Sequence, residues 1–103
     1  MDHDLCKLTL VFPIAAEDRI LDFLLDSEPA LPGFTSLRAE GHGASFEGVS
    51  AREKVRGRVE RRMAVLVLAR ERVNRLLVDL REKCPIGDVT YWVESVERFG
   101  QFR

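Results

Sequence analysis

The sequence predicts an α+β fold of the ferredoxin-like type, βαββαβ, in which two helices cover one face of a four-stranded antiparallel sheet. Three observations lead to this prediction. Four segments have strand patterns, and two segments between them have apolar residues at spacings of three and four. A long segment rich in glycine and charge separates strands two and three. Right-handed crossovers then place both helices on the same face of the sheet.

The first half of the chain carries strand one, helix one and strand two. Side chains alternate between two faces over residues 6–12, and Pro13 ends this strand. Helix one is predicted over residues 16–27. Two acidic residues lie where its first turn would be, a position at which negative charge stabilises a helix, and apolar residues form one stripe along it. Prolines and a glycine then interrupt the chain, and strand two is predicted over residues 35–41, near a sheet edge.

The second half begins with residues 42–58, a predicted long loop with three glycines and few large apolar residues. Residues 63–69 form a continuous apolar run, as in a central strand. Helical spacing of apolar residues then predicts helix two, which ends near Lys83. Strand four is predicted over residues 89–96, which have apolar side chains on both sides.

The sheet face opposite the helices predicts an oligomer. Strands three and four are expected to carry Leu66, Leu68 and Trp92, or their neighbours, toward this face. An apolar sheet face without a helix over it usually contacts another subunit. A chain of 103 residues also hides only roughly two-thirds of its unfolded surface, so partner subunits would add stability.

Length and composition indicate a single domain over residues 1–103. The chain is 46% hydrophobic and 32% charged, and domains usually contain about 100–200 residues. No apolar run approaches the roughly 20 residues of a membrane span, and the N-terminus lacks the pattern of a secretion signal. The net charge of -1 is too small to indicate a polyanionic partner. We therefore expect a cytoplasmic protein without membrane insertion.

Two other features have simple structural interpretations. Two cysteines, Cys6 and Cys84, do not make a framework of disulfides and are predicted to be reduced and buried. Residues 52–62 include six basic side chains, but no aromatic residue lies between Phe46 and Tyr91 to stack on bases. This segment is expected to be a solvated charged loop or a contact with an acidic partner, not a nucleic-acid site.

Three segments carry a family pattern: GFTSLRAEGHG at residues 33–43, PIGD at residues 85–88 and VESVERFGQFR at residues 93–103. The resemblance itself covers nearly the whole chain. This pattern resembles the nitrogen-regulatory PII superfamily, small trimeric sensors with this strand order. Within it the chain is most similar to an uncharacterised PII-like subgroup often encoded beside heavy-metal efflux systems. The resemblance implies a non-catalytic homotrimer that signals through the flexible loop of residues 42–58.

The resemblance also implies a ligand site between subunits, which in the family binds an adenine nucleotide. The candidate ligand residues are Thr35, Gly41 and Gly43 on the adenine side, Gly87 and Asp88 in the phosphate loop, and Arg98 and Arg103 in the tail. Glycines let backbone N–H groups approach phosphates, and a neighbour's arginines complete such a site. Here Val89 and Thr90 replace the family's second glycine and lysine, and Gln101 replaces a tail arginine. These differences predict weakened nucleotide binding.

Two other functions remain alternatives. A trimer axis can pool His42 from three chains around a divalent metal, because imidazole is the commonest side-chain metal ligand. No spacing within one chain gives the four ligands of a tetrahedral site, so an exposed, unliganded His42 is the simpler interpretation. An enzyme built on this scaffold would need a catalytic arrangement that the sequence does not show, so we expect no catalysis. The subgroup implies a membrane transporter or its regulator as a partner.

Overall fold

The computed structural model describes residues 4–42 and 59–103, and in them the predicted α+β fold is confirmed. The elements are β1 (Leu5–Pro13), a 3-10 turn (Ile14–Ala16), α1 (Glu17–Leu25), β2 (Thr35–Gly41), β3 (Val59–Ala69), α2 (Arg70–Lys83) and β4 (Thr90–Ser95). The sheet has the order β2-β3-β1-β4, and every neighbouring pair is antiparallel. Neither helix has the length and apolar character needed to cross a bilayer.

The third strand begins earlier than the sequence predicts. It starts at Val59 instead of Met63, so Arg61 and Arg62 belong to β3 and not to a solvated charged loop. The reason is pairing: Arg61 lies opposite Ala39 of β2, and Arg62 lies opposite Phe12 of β1. Backbone hydrogen bonds to two neighbouring strands extend the strand through residues whose side chains are charged.

The core lies between the two helices and one face of the sheet. Alternate residues of β1 and β3 point into it, and α1 and α2 each contribute one apolar stripe. The buried apolar residues are Cys6, Leu8, Leu10, Phe12, Ala16, Ile20, Leu24, Ala64, Leu66, Leu68, Val73, Leu76, Leu80 and Cys84. Each large aliphatic side chain buried here contributes roughly 1.5–3 kcal/mol. Both cysteines are free and buried, as predicted.

The other face of the sheet, which we call the open face, carries the side chains of Thr9, Leu37, Val65, Val67 and Trp92, with their same-face neighbours. Cross-strand pairing places these residues together, because Thr9 lies opposite both a valine of β3 and the tryptophan of β4. The expectation for Trp92 is therefore correct. The side chains of Leu66 and Leu68 instead point into the core, because residues alternate strictly along β3.

A polar cluster joins three elements at one end of the sheet. The backbone N–H of Arg70 donates to the carbonyl of Asp4 at 2.9 Å, and its side-chain Nε donates to Asp4 Oδ2 at 2.7 Å. The same guanidinium donates through Nη2 to Ser95 Oγ at 3.1 Å. The hydrogen bond from Arg70 lowers the pKa of the Asp4 carboxyl and raises the pKa of the guanidinium. The start of α2 is thereby held against the ends of β1 and β4.

Candidate functional site

The loop between α2 and β4 carries Gly87 and Asp88, two of the predicted ligand residues. Pro85 follows the end of α2 and cannot continue the helix. Asp88 has a φ of 65°, a left-handed conformation that aspartate and asparagine tolerate better than most residues. Gly87 is exposed, and a Cβ at this position would meet no atom within 4 Å. The backbone of this loop is therefore open to the approach of another molecule.

An arginine from the sheet contacts this loop. Arg61 Nη2 lies 2.8 Å from Asp88 Oδ2, with the arginine side chain 14% exposed and the aspartate side chain 55% exposed. The loop continues into Val89 and Thr90, which are uncharged. The guanidinium of Arg61 in β3 thus places a positive charge directly against the loop. Sequence reasoning missed this residue, because the apolar run that marks β3 begins only at Met63.

The end of β2 lies beside the same ion pair. Gly41 is the last residue of β2 and pairs with Val59, and Ala39 pairs with Arg61. A cavity of about 280 Å³ at this end of the sheet is lined by Arg61 together with residues 38–40 and others. The structure therefore brings the predicted ligand residue Gly41 to the same end of the sheet as the loop before β4.

A second cavity, of about 690 Å³, lies on the other side of this loop, against α2. Its lining includes Gly87 and the apolar side chains of Leu77, Ile86, Val89 and Tyr91. The loop therefore has a mainly apolar cavity, which Arg81 also lines, on one flank and the guanidinium of Arg61 on the other. A ligand at this loop meets both kinds of surface.

Thr35 is separated from this end of the sheet. It is the first residue of β2, is exposed, and pairs with Val65 near the middle of β3. Six residue steps along β2 separate Thr35 from Gly41, which is roughly 20 Å at about 3.3 Å per residue. Thr35 and Gly41, the two described residues of the predicted adenine side, are thus at opposite ends of one edge strand.

The two tail arginines follow β4 at the end opposite the loop. β4 runs from Thr90, next to the loop, to Ser95, and the tail follows from there. Arg98 and Arg103 are exposed, and Arg103 Nη2 donates to Gln101 Oε1 at 2.7 Å. Both arginines therefore follow the end of β4 that lies opposite Asp88. Within one chain, β4 separates the predicted phosphate loop from the start of the predicted tail.

Gly43 and all but the first residue of the predicted signalling loop, residues 42–58, lie outside the described residues. His42 is described and is exposed directly after β2. In the two described ranges, no group of three or more His, Cys, Asp or Glu side chains is placed to hold a metal ion. A metal site involving His42 therefore requires ligands from elsewhere.

The open face combines partly exposed apolar side chains with a buried hydroxyl. Leu37 is 42% exposed and Trp92 is 43% exposed. Between them lies Thr9, which is only 1% exposed and whose Oγ1 has no hydrogen-bond partner. The tail, which follows β4, also carries two exposed aromatic side chains, Phe99 and Phe102. Such a concentration of apolar side chains outside the core is typical of a protein contact surface.

Comparison with protein families identifies the chain. The family described as "Protein of unknown function (DUF3240)" matches residues 2–103. The chain belongs to the DUF3240 family. No curated protein matches the sequence.

Solved structures of other proteins share this fold. A DUF3240 family protein from Shewanella baltica has a TM-score of 0.78 and 20% identity, covering 99% of this chain and 100% of that chain. CPII from Thiomonas intermedia, a nitrogen regulatory PII-like protein bound to ADP, AMP and bicarbonate, has a TM-score of 0.69 and 17% identity, with coverage of 97% and 98%. The GlnK–ATP complex of Bacillus subtilis has a TM-score of 0.62 and 14% identity, with coverage of 91% and 85%.

At these identities the likeness shows the fold alone. The DUF3240 chain has the fold of the PII-like proteins, so the resemblance predicted from its sequence segments is confirmed at that level. Two of the similar structures were determined with adenine nucleotides bound.

Proposed function

We propose that this DUF3240 protein is a non-catalytic signalling protein that binds a small anionic ligand of the adenine-nucleotide type between the subunits of a homotrimer. The observation that carries the proposal is the division of the predicted ligand residues between two ends of one sheet. Gly41, Gly87 and Asp88 lie at one end, whereas Arg98 and Arg103 follow the strand end opposite. A neighbouring chain whose tail contacts the loop before β4 would complete the site with its arginines.

The open face supports the association of chains. Leu37 and Trp92 keep about two-fifths of their surface exposed in the single chain. Burying this remaining apolar area against another subunit would stabilise an assembly by roughly 25 cal/mol for each Å² removed from water. The exposed aromatic side chains of the tail, Phe99 and Phe102, add further apolar area for the same contact. We take residues 1–103 as the single domain that forms each subunit.

The position of residues 42–58 supports a signalling role for this segment. It connects Gly41 to Val59. These two residues pair with each other at the end of the sheet where the loop before β4 lies. A ligand that contacts this end changes the relative free energies of the conformations available to the connected segment. The proposed output is a changed contact between residues 42–58 and a protein partner. The resemblance to the efflux-associated subgroup suggests a membrane transporter or its regulator, met in the cytoplasm.

A thermal-shift screen combined with a mass measurement by light scattering tests this proposal. The probes are ADP, AMP, ATP, bicarbonate and divalent metal ions, each at millimolar concentration. We expect the mass of a trimer and a rise in melting temperature with a nucleotide, since a ligand at 100 times its Kd adds about 2.7 kcal/mol. A monomer, or a melting temperature unchanged by every nucleotide, would overturn the proposal.

Tail variants show whether the shift comes from the proposed site. Arg98→Ala and Arg103→Ala are expected to reduce the nucleotide-induced shift, because both remove positive charge from the tail. Arg19→Ala is the matched control, because Arg19 is an exposed arginine of α1. Equal shifts in the tail variants and the control would exclude the tail from the site.

Metal ions are included in the screen because His42 is exposed at the end of β2. A stabilisation by metal that disappears in His42→Ala would favour a metal-handling protein that pools this histidine around a trimer axis. A nucleotide shift that survives in His42→Ala is the result expected for the proposed function.

A further inference from the structure

We infer that Arg61 is the anion-binding side chain of the candidate site, and that Asp88 occupies it as an internal competitor until a ligand displaces the carboxylate. The observation behind the inference is the ion pair at 2.8 Å between β3 and the loop before β4. The inference rests on the proposed function, because it takes the ligand to be an anion that binds at this loop.

The surroundings of Arg61 suit an anion-binding group. Its side chain is only 14% exposed, so its charge is partly removed from water and interacts more strongly with a nearby anion than a solvated charge does. The planar guanidinium offers paired N–H donors that match phosphate and carboxylate oxygens. Arg61 also supplies a positive charge that the loop itself lacks, since the uncharged residues Val89 and Thr90 follow Asp88.

Asp88 has the properties of a displaceable partner. Its side chain is 55% exposed, so water can solvate the carboxylate when the ion pair breaks. A phosphate group also brings more negative charge and more acceptor oxygens than the carboxylate to the same guanidinium. An incoming phosphate can therefore replace the carboxylate at Arg61 at small cost to the fold.

This exchange would connect ligand binding to the rest of the site. Arg61 pairs through its backbone with Ala39, two residues before Gly41. When the ligand takes the guanidinium, Asp88 is released and the loop before β4 loses its tie to β3. The ligand must therefore displace the carboxylate of Asp88 in order to bind. When the ion pair breaks, the loop before β4, which lies at the same end of the sheet as the end of β2, gains freedom to change its conformation.

Substitutions at the two positions test this inference in opposite directions. Asp88→Asn keeps a residue that tolerates the left-handed φ of 65° and removes the competing charge. Arg61→Gln removes the guanidinium, and Arg61→Lys retains a positive charge in case the glutamine variant fails to fold. ADP is titrated calorimetrically into the wild-type protein, the single variants and the double variant, after thermal unfolding without ligand has shown that each is folded.

We expect Asp88→Asn to bind ADP roughly threefold to fivefold tighter, the factor that corresponds to losing a competing ion pair whose carboxylate is solvated. Arg61→Gln is expected to bind at least about tenfold weaker, because a hydrogen-bonded charge pair with the ligand is lost. Arg61→Lys is expected to be intermediate. The double variant is expected to bind as weakly as Arg61→Gln, because Asp88 competes only through the arginine.

The double variant separates competition from simple repulsion. If Asp88→Asn tightens binding equally in the presence and absence of Arg61, the carboxylate merely repels the ligand and the inference is wrong. If wild type binds ADP but neither single variant changes the affinity by more than about twofold, the inference is wrong and the proposed function stands. If neither wild type nor Asp88→Asn binds ADP, both are overturned. Binding by Asp88→Asn alone would support the inference.

Discussion

The two faces of the sheet are built from the same four strands but differ in what covers them. On the helix-covered face, Leu8 and Phe12 are fully buried within one chain. On the open face, Leu37 and Trp92 remain partly exposed, and Thr9 is buried without a hydrogen-bond partner. One face therefore stabilises the fold of the single chain, and the other has apolar surface available for a second chain. The predictions below test this division, beginning with the largest effect.

Truncating a leucine to alanine should lower the free energy of unfolding by very different amounts on the two faces. Leu8→Ala is expected to lower the free energy of unfolding by about 2–5 kcal/mol, because it leaves a cavity among buried neighbours. Leu37→Ala is expected to cost less than about 1 kcal/mol in a single chain, because its side chain is 42% exposed. Urea denaturation at several protein concentrations measures both. Equal losses at every concentration would contradict the distinction between the faces.

A charge placed on the open face should weaken association more than it weakens the fold. Leu37→Asp is expected to shift the protein from trimer to monomer, because an unpaired carboxylate would be buried in the contact. Val78→Asp is the control, since Val78 is 55% exposed on α2, away from the open face. Light scattering gives the mass of each variant. A trimer that survives the open-face charge would remove this face from the interface.

The buried hydroxyl of the open face gives a sharper test. Thr9→Val replaces an Oγ1 that has no partner with a methyl group of similar size. It is expected to be neutral or to raise the free energy of unfolding by up to about 1 kcal/mol. Thr9→Ser, which keeps the hydroxyl and removes a methyl group, is expected to destabilise. A loss on Thr9→Val that appears only at trimer-forming concentrations would show that a second chain supplies a hydrogen-bond partner.

The smallest expected effect concerns pH and the cluster that joins α2 to β1 and β4. The hydrogen bond from Arg70 lowers the pKa of Asp4 below its ordinary value of 3.8. The ion pair therefore stabilises the fold above that value, and this contribution is lost as the pH falls through the lowered pKa. Asp4→Asn should flatten the acid side of the melting-temperature profile slightly. An unchanged profile would show that solvent screening cancels the interaction.

The candidate site was only partly predictable. The sequence segments predicted Gly87 and Asp88 as ligand residues, and the structure shows their loop open to solvent at the same end of the sheet as the end of β2. They did not identify Arg61, because its partner lies 27 positions away along the chain and no local pattern relates the two. They also grouped Asp88 with Arg98, although β4 separates the loop from the tail within one chain.

The sequence by itself determined the order of elements and most of their bounds. Period-two and helical spacings are properties of neighbouring residues, so β2 was predicted over the residues that form it and α2 was predicted to end at Lys83, as it does. Tertiary structure decided the start of β3, because pairing with β2, and not local composition, extends the strand toward its N-terminus as far as Val59. It also decided which side chains of β3 face the helices and which basic residue meets the loop before β4. These outcomes depend on register between distant segments, which a local pattern does not specify.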